Sequence, residues 1–365
     1  MQDRLNEARA IINEVDKEMA SLFRRRMEAA RMVGEYKMAR GLPVLDERRE
    51  DELVRRNAEY LAEADEDVRA GYACFLRSTM AISRHYQQKM MTGLRVAFSG
   101  TEGAFASIAA GRIFPDATRV PFGDFTSAYN AVVTGECDLA VLPLENSSAG
   151  EVGAVTDLLF SGPLYVNRVY DLSVTHDLLT LPGVRVDEIK RVISHPQALG
   201  QCADYIRAHG FETVEYSNTA RAAERVVQLG DRTTAAIASE EAARIYGLDV
   251  AARAINGEAN NTTRFAVLSS ARNVPSGNRS DLRFILTFTV RNEAGSLARA
   301  IDVIGKHGYN MLSLRSRPMK ELLWQYYFYV EAEGNIDTEK GADMIAALGE
   351  YCDNLRVVGS YIKDN

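Results

Sequence analysis

Three basic residues near the start of the chain have a spacing that could hold an anionic ligand. Arg26 stands where a seam of apolar residues would place an aliphatic side chain, and Lys37 follows eleven residues later on nearly the same helix face. Arg9 lies 17 residues before Arg26, which is about 25 Å along a helix at ~1.5 Å per residue. One small ligand cannot reach both within one helix, so a shared site would take Arg9 from a second copy of the chain. Alternatively, Arg26 only fixes the register of a coiled coil and the other two cations are solvated.

A second set of polar residues follows four short apolar segments between residues 93 and 272. The order of strand, polar loop and helix is repeated four times, which predicts an open parallel sheet whose strand ends carry a ligand site. Backbone N–H groups and helix N-termini at such loops favour an anion. The loops are Gly100-x-x-Gly103, Glu145-Asn146-Ser147, Ser194-His195-Pro196-Gln197 and Ser239-Glu240.

Each of these patterns also has a purely structural interpretation. The Gly100-x-x-Gly103 loop fits a tight turn, and it lacks the features of a dinucleotide site or a P-loop. His195 precedes a proline, which is more typical of a turn residue than of a base. Thr263 and Arg264 lie in a polar run that enters an apolar strand, and such runs are common. No nucleotide site is predicted.

The first forty residues are predicted to form one long helix that positions the three cations. No proline interrupts its heptad seam, and Gly41 and Pro43 supply the stop. A helix this long must bury its seam against partner helices. A second helix to about residue 60 and a third over about 67–91 complete an all-α domain. The seam consists of Leu5, Ala8, Ile12, Val15, Met19, Leu22, Arg26, Ala29, Val33 and Tyr36.

The C-terminal part follows a polar linker at residues 273–280, a predicted domain boundary. Strands are predicted at 284–290, 310–317, 324–331 and 355–361, with helices at 296–306 and 338–352. This βαββαβ order is that of the split, ferredoxin-like unit.

Composition restricts the class of protein. The chain has 365 residues, 46% hydrophobic and 25% charged, enough for two or three globular domains. Its net charge of −7 argues against a nucleic-acid surface. The four cysteines are scattered, so neither a disulfide framework nor a zinc site is predicted. No apolar signal region or long apolar stretch is present, which predicts a cytoplasmic protein without membrane contact.

Residues 1–92 resemble the all-helical chorismate mutase domain through an ordered set of residues. That reaction is unimolecular, so it needs the dianion held in a folded conformer and donors at the ether oxygen. The resemblance implies that Arg26 and Arg9 of a neighbouring chain bind carboxylates, and that Lys37 and Gln87 face the ether oxygen. Glu50 would lie near the substrate hydroxyl, and Asp46, Arg49 and Ser83 would complete the pocket. The matching set is Arg9, Asp16, Arg26, Gly34, Lys37, Pro43, Asp46, Arg49, Glu50, Ser83 and Gln87.

Residues 93–272 resemble prephenate dehydratase over their whole length, through the four loops, Gln201-Cys202 and Asn261-x-Thr263-Arg264-Phe265. The family fold has two α/β subdomains, like a periplasmic binding protein, with the substrate in the cleft between them. The chain is expected to cross between the subdomains near residues 170–172 and near Phe265. The resemblance implies that Thr263 donates a hydrogen bond to the leaving hydroxyl, that Arg264 pairs with a carboxylate, and that Glu145 orients Thr263 or Asn146. The other residues expected around the substrate are Asn146, Ser147, Ser194, His195, Gln197, Gln201 and Phe265.

Residues 281–365 resemble the ACT regulatory domain that follows prephenate dehydratase. In that family two copies pair and bind phenylalanine between them. Here Ser296 and Arg315 depart from the usual family residues, and Arg315 reverses a charge beside the expected effector site. A purely structural dimerisation module is the alternative. The expected effector residues are Gly295, Ser296, Leu297, Asn310, Ser316, Arg317 and Pro318.

Together these resemblances predict a bifunctional chorismate mutase/prephenate dehydratase that takes chorismate to phenylpyruvate, with no metal or organic cofactor. Two modules that each need a second chain predict a homodimer or a homotetramer. One alternative is a dehydratase whose helical domain only dimerises. Another is an amino-acid-sensing binding protein that uses the cleft without chemistry.

Overall fold

The computed structural model describes residues 2–40, 42–257, 260–274, 281–319 and 325–362. Of the predicted features, the stop at Gly41, residues 275–280 of the linker and Trp324 lie outside the described residues. The chain divides into two compact units, Met1–Leu94 and Arg95–Asn365. Within the described residues, no helix combines the length and apolar character needed to cross a membrane.

The first unit contains the three predicted helices. They are α1 (Gln2–Ala39), α2 (Glu47–Ala58) and α3 (Glu66–Thr92), with a short 3₁₀ turn at Glu59–Leu61. Asp46 and Asp65 cap α2 and α3 by accepting hydrogen bonds from backbone N–H groups in the first turn. Both α1 and α2 pack against α3. Residues 3–25 of α1 are exposed in the single chain, and Ala29, Val33 and Tyr36 of the predicted seam are exposed as well. Of the seam only Arg26 is partly buried, and α1 packs on α3 through the neighbouring face that carries Ala30 and Gly34.

The second unit contains two sheets that the chain visits in turn. The parts of the first subdomain are β1 (Arg95–Ser99), α4 (Phe105–Ile113), β2 (Thr118–Phe122), α5 (Phe125–Val133), β3 (Leu139–Asn146), β4 (Gly150–Glu151), α6 (Gly153–Ser161) and β5 (Tyr165–Ser173). Those of the second are β6 (Asp177–Thr180), a 3₁₀ turn (Val186–Glu188), β7 (Arg191–Ser194), α7 (Pro196–Gln201), α8 (Ala203–His209), β8 (Glu212–Glu215), α9 (Thr219–Leu229), β9 (Thr234–Ala238), α10 (Glu240–Tyr246) and β10 (Asp249–Ala252). Strand β11 (Thr262–Ser269) then returns to the first sheet between β5 and β3.

All four predicted repeats of strand, polar loop and helix are present. Helices α4, α6, α7 and α10 follow β1, β3, β7 and β9 respectively. The predicted crossing points need correction, because Phe265 pairs with Tyr170 inside the first sheet. The chain crosses between the end of β5 at Ser173 and the start of β6 at Asp177, and it returns between β10 and β11.

The remaining elements have the predicted βαββαβ order. They are β12 (Leu282–Val290), α11 (Ser296–Lys306), β13 (Asn310–Pro318), β14 (Tyr326–Glu333), α12 (Glu339–Gly349) and β15 (Cys352–Ile362). Their strand order is β13-β14-β12-β15, and β15 continues onto β5, so one sheet of ten strands runs through both parts. Gly359 permits this junction, because a Cβ there would lie 2.0 Å from the Val166 carbonyl oxygen.

Candidate active sites

Helices α1, α2 and α3 enclose a cavity of about 620 Å³. Seven of the eight predicted mutase residues line this cavity, and only Arg9 does not. Gly34 allows α1 to approach α3 here, because a Cβ would lie 3.1 Å from the Gln87 side chain. The seven are Arg26, Lys37, Asp46, Arg49, Glu50, Ser83 and Gln87.

Arg26 is held in place by the third helix. Its guanidinium donates to the Thr79 carbonyl at 3.1 Å and to the Ser83 hydroxyl. Burial lowers the pKa of Arg26, and the negative charge of Glu50 opposes that effect. Glu50 is therefore close enough to interact with this cation. Lys37 is anchored by donating from Nζ to the Val44 carbonyl at 2.5 Å.

The charge of the cavity favours a dianion. Four cationic side chains line it against two carboxylates, those of Asp46 and Glu50. The fourth cation is Arg84, which the sequence analysis missed. Its guanidinium donates to both carboxylate oxygens of Glu50. The signal for Arg84 was its spacing, since it follows Ser83 directly and precedes Gln87 by about one helical turn.

Three residues of the recognised dehydratase motifs, Asn146, Asn261 and Thr263, are joined by hydrogen bonds, and backbone N–H groups determine which atoms donate and which accept. Asn146 Oδ1 accepts from the N–H groups of Ser148 at 3.0 Å and Ala149 at 2.9 Å. This fixes the orientation of the amide. Asn146 Nδ2 therefore donates to Asn261 Oδ1 at 2.8 Å and to Thr263 Oγ1 at 2.9 Å. The Thr263 oxygen is an acceptor here, so the hydroxyl hydrogen remains available to a substrate.

The same network continues into the second subdomain. Asn261 Nδ2 donates to Gln201 Oε1 at 2.9 Å, and His176 Nε2 lies 2.9 Å from the same oxygen. Because that oxygen can only accept, Nε2 carries the hydrogen. Gln201 Nε2 and His176 Nδ1 are buried, without a hydrogen-bond partner among the described residues. Asn261 belonged to the recognised motif, whereas a lone histidine in an apolar segment gave no signal for His176.

Four other predicted residues, Ser147, Ser194, His195 and Gln197, make local contacts at strand and helix ends. Ser147 joins the ends of β3 and β11, donating to the Asn260 carbonyl at 2.8 Å. Ser194 is buried and donates to the Ile237 carbonyl at 2.5 Å, which ties β7 to β9. His195 caps α7, where its Nδ1 accepts from the Gln197 N–H at 3.2 Å. These contacts hold the loops in place and do not include the Thr263 hydroxyl.

Arg264, Glu145 and Phe265 lie apart from the group around Thr263, which differs from their predicted roles. Successive residues of a strand point to opposite faces, so Arg264 turns away from Thr263. Its guanidinium donates to Glu331 at 3.0 and 2.8 Å. Glu145 accepts from Arg315 at 2.6 Å. Phe265 is 2% exposed and belongs to the core.

The Arg264 contacts join the first subdomain to the C-terminal βαββαβ part. Burial alone would raise the pKa of Glu331, but the hydrogen bond and charge of Arg264 outweigh it, so the pKa lies below the usual value. Tyr361 also donates to Glu331, and Arg264 to the Tyr361 hydroxyl at 2.9 Å. Arg264 is therefore neutralised within the protein.

The predicted effector residues divide into two groups. Thr289, Tyr327 and Arg317 lie opposite one another across three strands, which brings residues 316–318 to the same end of the sheet as the loop before α11. A cavity of about 380 Å³ at this end is lined by Leu297, but by none of the other six predicted effector residues. Asn310 pairs with Glu333 at the other end, so the structure separates it from the rest within one chain.

Two further observations concern ligands. A cavity of about 680 Å³ beside β5 and α4 is lined by Ser239 and Glu240 of the fourth loop, but by none of the residues expected around the dehydratase substrate. Over the described residues, no group of three or more His, Cys, Asp or Glu side chains could hold a metal ion. All four cysteines are free, and burial raises the pKa of Cys202 to about 12.

Comparison with known proteins gives matches to both parts of the chain. The family model of chorismate mutase type II matches residues 8–88, and that of prephenate dehydratase matches residues 96–273. A bifunctional chorismate mutase/prephenate dehydratase of Neisseria gonorrhoeae is 32% identical over 97% of this chain and 95% of its own length. The chloroplastic arogenate dehydratase/prephenate dehydratase 2 of Arabidopsis thaliana is 34% identical over 74% of this chain and 73% of its own. The crystal structure of prephenate dehydratase from Arthrobacter aurescens in complex with L-Phe matches with a TM-score of 0.69 and 29% identity, over 74% of this chain and 90% of that one.

Proposed function

Since the chain belongs to the family of bifunctional chorismate mutases/prephenate dehydratases, it rearranges chorismate to prephenate and converts prephenate to phenylpyruvate in phenylalanine biosynthesis, and we propose how its residues perform both steps. The observation that carries the mutase assignment is the single cavity lined by seven of the eight expected residues. For the dehydratase it is the hydrogen bond from Asn146 to Thr263. A binding protein without chemistry does not fit this family.

In the mutase site, positive charge and fixed donors hold the chorismate dianion in its reactive conformer. Arg26 binds one carboxylate through charge-assisted hydrogen bonds, and Arg9 of the partner subunit binds the other. Lys37 and Gln87 donate to the ether oxygen, where negative charge grows as the bond breaks. Glu50 accepts a hydrogen bond from the substrate hydroxyl. Asp46, Arg49 and Ser83 support these groups, and no proton is transferred.

The second copy is required because Arg9 lies outside the cavity. The exposed half of α1 carries large apolar side chains, and Leu5, Val15 and Leu22 are 44%, 47% and 58% exposed in the single chain. Two such seams would cover each other in a dimer. We propose a homodimer, or a homotetramer made from two of them, with two mutase sites per pair of chains.

In the dehydratase site, Thr263 donates its free hydroxyl hydrogen to the hydroxyl that leaves prephenate. The substrate loses carbon dioxide and hydroxide, the departing hydroxide takes up a proton from solvent to become water, and the ring becomes aromatic. A threonine hydroxyl is too weak an acid to supply that proton by itself, so it acts as a hydrogen-bond donor. Arg264 cannot bind a substrate carboxylate while it binds Glu331.

The C-terminal βαββαβ part is proposed to be an ACT domain that binds phenylalanine and lowers dehydratase activity. Support comes from the cavity beside Leu297 and from the phenylalanine complex of the Arthrobacter relative. The charge reversal at Arg315 is balanced by Glu145, since their side chains lie 2.6 Å apart. Arg315 therefore faces the dehydratase strand β3 and leaves the effector cavity free. A cytoplasmic location stays a prediction.

The experiment that tests both sites is turnover of chorismate alone by the purified chain at neutral pH. Phenylpyruvate is expected well above its spontaneous rate, with prephenate as the intermediate. If chorismate persists while added prephenate is converted, the helical unit only dimerises. If neither compound is converted, both site assignments are wrong.

A further inference from the structure

Among the charged residues that line the mutase cavity, Arg84 is the one that the resemblance did not assign. It projects from α3 between Ser83 and Gln87, and it lines the same cavity. Its guanidinium pairs with both carboxylate oxygens of Glu50 on α2. The side chains of Arg84 and Glu50 are only 33% and 22% exposed, so water screens this pair less than a surface pair.

A second ion pair between α2 and α3 lies outside the cavity and serves as a comparison for the Arg84 pair. Arg77 on α3 lies 3.5 Å from Asp51 on α2, and these side chains are 59% and 72% exposed. Neither residue lines the cavity. Such exposed pairs contribute little to stability. The Arg84 pair differs because it is placed among the groups that would bind the substrate.

The ion pair between Arg84 and Glu50 matters for substrate binding because Glu50 interacts with Arg26. The negative charge of Glu50 acts on the Arg26 guanidinium, which raises the pKa of that group against the effect of burial. An unrestrained Glu50 carboxylate would compete with a substrate carboxylate for Arg26 and would repel the dianion. Bonds from Arg84 to both oxygens neutralise Glu50 and hold it on the α2–α3 side of the cavity, where one lone pair can still accept from a substrate hydroxyl.

We propose that Arg84 is a positioning residue of the mutase site, which keeps Glu50 away from Arg26 and aims it at the substrate hydroxyl. The proposal rests on the mutase function stated above. With Arg84 in place, Glu50 can orient the substrate hydroxyl without lowering the affinity of the site for the dianion. Loss of Arg84 should therefore raise KM strongly and lower kcat less, and the effect should require the Glu50 carboxylate.

The test measures mutase kcat and KM for Arg84→Met, Arg84→Lys, Glu50→Gln and the double variant Arg84→Met/Glu50→Gln. Arg77→Met is the matched control, since it breaks the exposed pair between the same helices. We expect Arg84→Met to lower kcat/KM at least tenfold, mainly through KM, and Arg84→Lys to fall between it and the wild type. The double variant should be no worse than Glu50→Gln alone, because Arg84 acts only through the carboxylate that Glu50→Gln removes. Arg77→Met should stay within twofold of the wild type.

Three results would overturn the proposal. One is an Arg84→Met variant with wild-type kinetics, and another is a loss in Arg77→Met as large as in Arg84→Met. The third is a double variant whose loss is the product of the two single losses, since Arg84 would then act independently of Glu50. Helical circular dichroism of each variant detects a collapsed domain, and Arg84→Lys then decides through its kinetics. A wild-type chain without mutase activity would instead refute the function on which the proposal rests.

Discussion

The side chain of Thr263 shows how a single residue acquires a role from its neighbours. Backbone N–H groups fix Asn146, which donates to the Thr263 oxygen and leaves the Thr263 hydroxyl hydrogen out of that bond, as the proposed donor role requires. Thr263→Ala should lower dehydratase turnover at least ~100-fold, by analogy with loss of one preorganised donor to a developing charge. Mutase turnover in the same chain is the control, and Thr263→Ser should recover much of the activity. Unchanged dehydratase rates in Thr263→Ala would refute its assignment.

His176 makes the stability of the dehydratase part depend on pH. Burial lowers the pKa of His176 below its ordinary value of 6.5, although the hydrogen bond to Gln201 partly opposes this. The unfolded chain then binds a proton more readily than the folded chain as pH falls below ~6.5. The contribution of His176 to the free energy of unfolding is therefore fully present above that pH. Below it, this contribution falls by at most about 1.4 kcal/mol per pH unit.

The variant His176→Gln removes this titration while keeping an amide donor near Gln201. When the pH is lowered by ~2 units, from ~7.5 to ~5.5, the melting temperature of the wild type should fall more than that of the variant, because only the wild type carries the His176 titration. Calorimetric melting temperatures at both pH values measure the difference. Parallel losses in the two proteins would mean that His176 does not titrate in this range.

For single residues, the sequence predicted which residues belong to the sites better than it predicted the directions of their side chains. Seven mutase residues meet in one cavity, as the ordered motif predicted. In the dehydratase, Thr263 and Arg264 were assigned to one site although they are neighbours in a strand. The alternation of a strand would have separated them, had the start of β11 at Thr262 been known. His176 could not be predicted, because its role depends on a contact with a residue 25 positions away.

Strand β13 is one of the elements that link the first subdomain to the C-terminal βαββαβ part, besides the pairing of β15 with β5. Arg315 joins it to Glu145 in β3, and Glu145 directly precedes Asn146, which holds Thr263. We expect Arg315→Met to weaken inhibition by phenylalanine at least ~5-fold, the lower end of typical allosteric coupling. Dehydratase activity without phenylalanine should change little.

Binding measurements separate coupling from recognition in this variant. Phenylalanine should bind Arg315→Met by calorimetry about as tightly as it binds the wild type, because Arg315 faces the dehydratase strand. Arg185→Met, which removes an exposed pair with Asp187, is the control and should be inhibited normally. Full inhibition of Arg315→Met would show that the signal does not pass through this pair.

Elements were predicted well where a local pattern repeats. The four strand, loop and helix repeats and the βαββαβ order follow from periodicity and turn residues, and both are present. The crossing predicted near Phe265 falls inside β11, which begins at Thr262, because the resemblance gave the motif and not the start of the strand. The pairing of β15 with β5 had no local signal, since it depends on residues about 190 positions apart meeting in space.

For the whole molecule, the long helix α1 gives the strongest reason to expect a dimer. Its cavity end carries Arg26, and its other end carries Arg9 about 25 Å away at ~1.5 Å per residue, with exposed apolar side chains between them. If two chains exchange these ends, each mutase site takes Arg26 from one chain and Arg9 of the partner subunit from the other. A chain with either arginine changed to alanine should then be inactive as a mutase on its own.

Heterodimers of the two variants test this exchange quantitatively. When one chain carries Arg9→Ala and the other Arg26→Ala, one site receives both substitutions and the other receives neither. A heterodimer purified through two different tags should therefore have about half the wild-type mutase activity, from its one intact site. If each site were built from a single chain, both sites would be defective and no activity would return. Dehydratase activity measures the amount of folded chain in each preparation, so an inactive mutase with normal dehydratase turnover would exclude the exchanged-helix dimer.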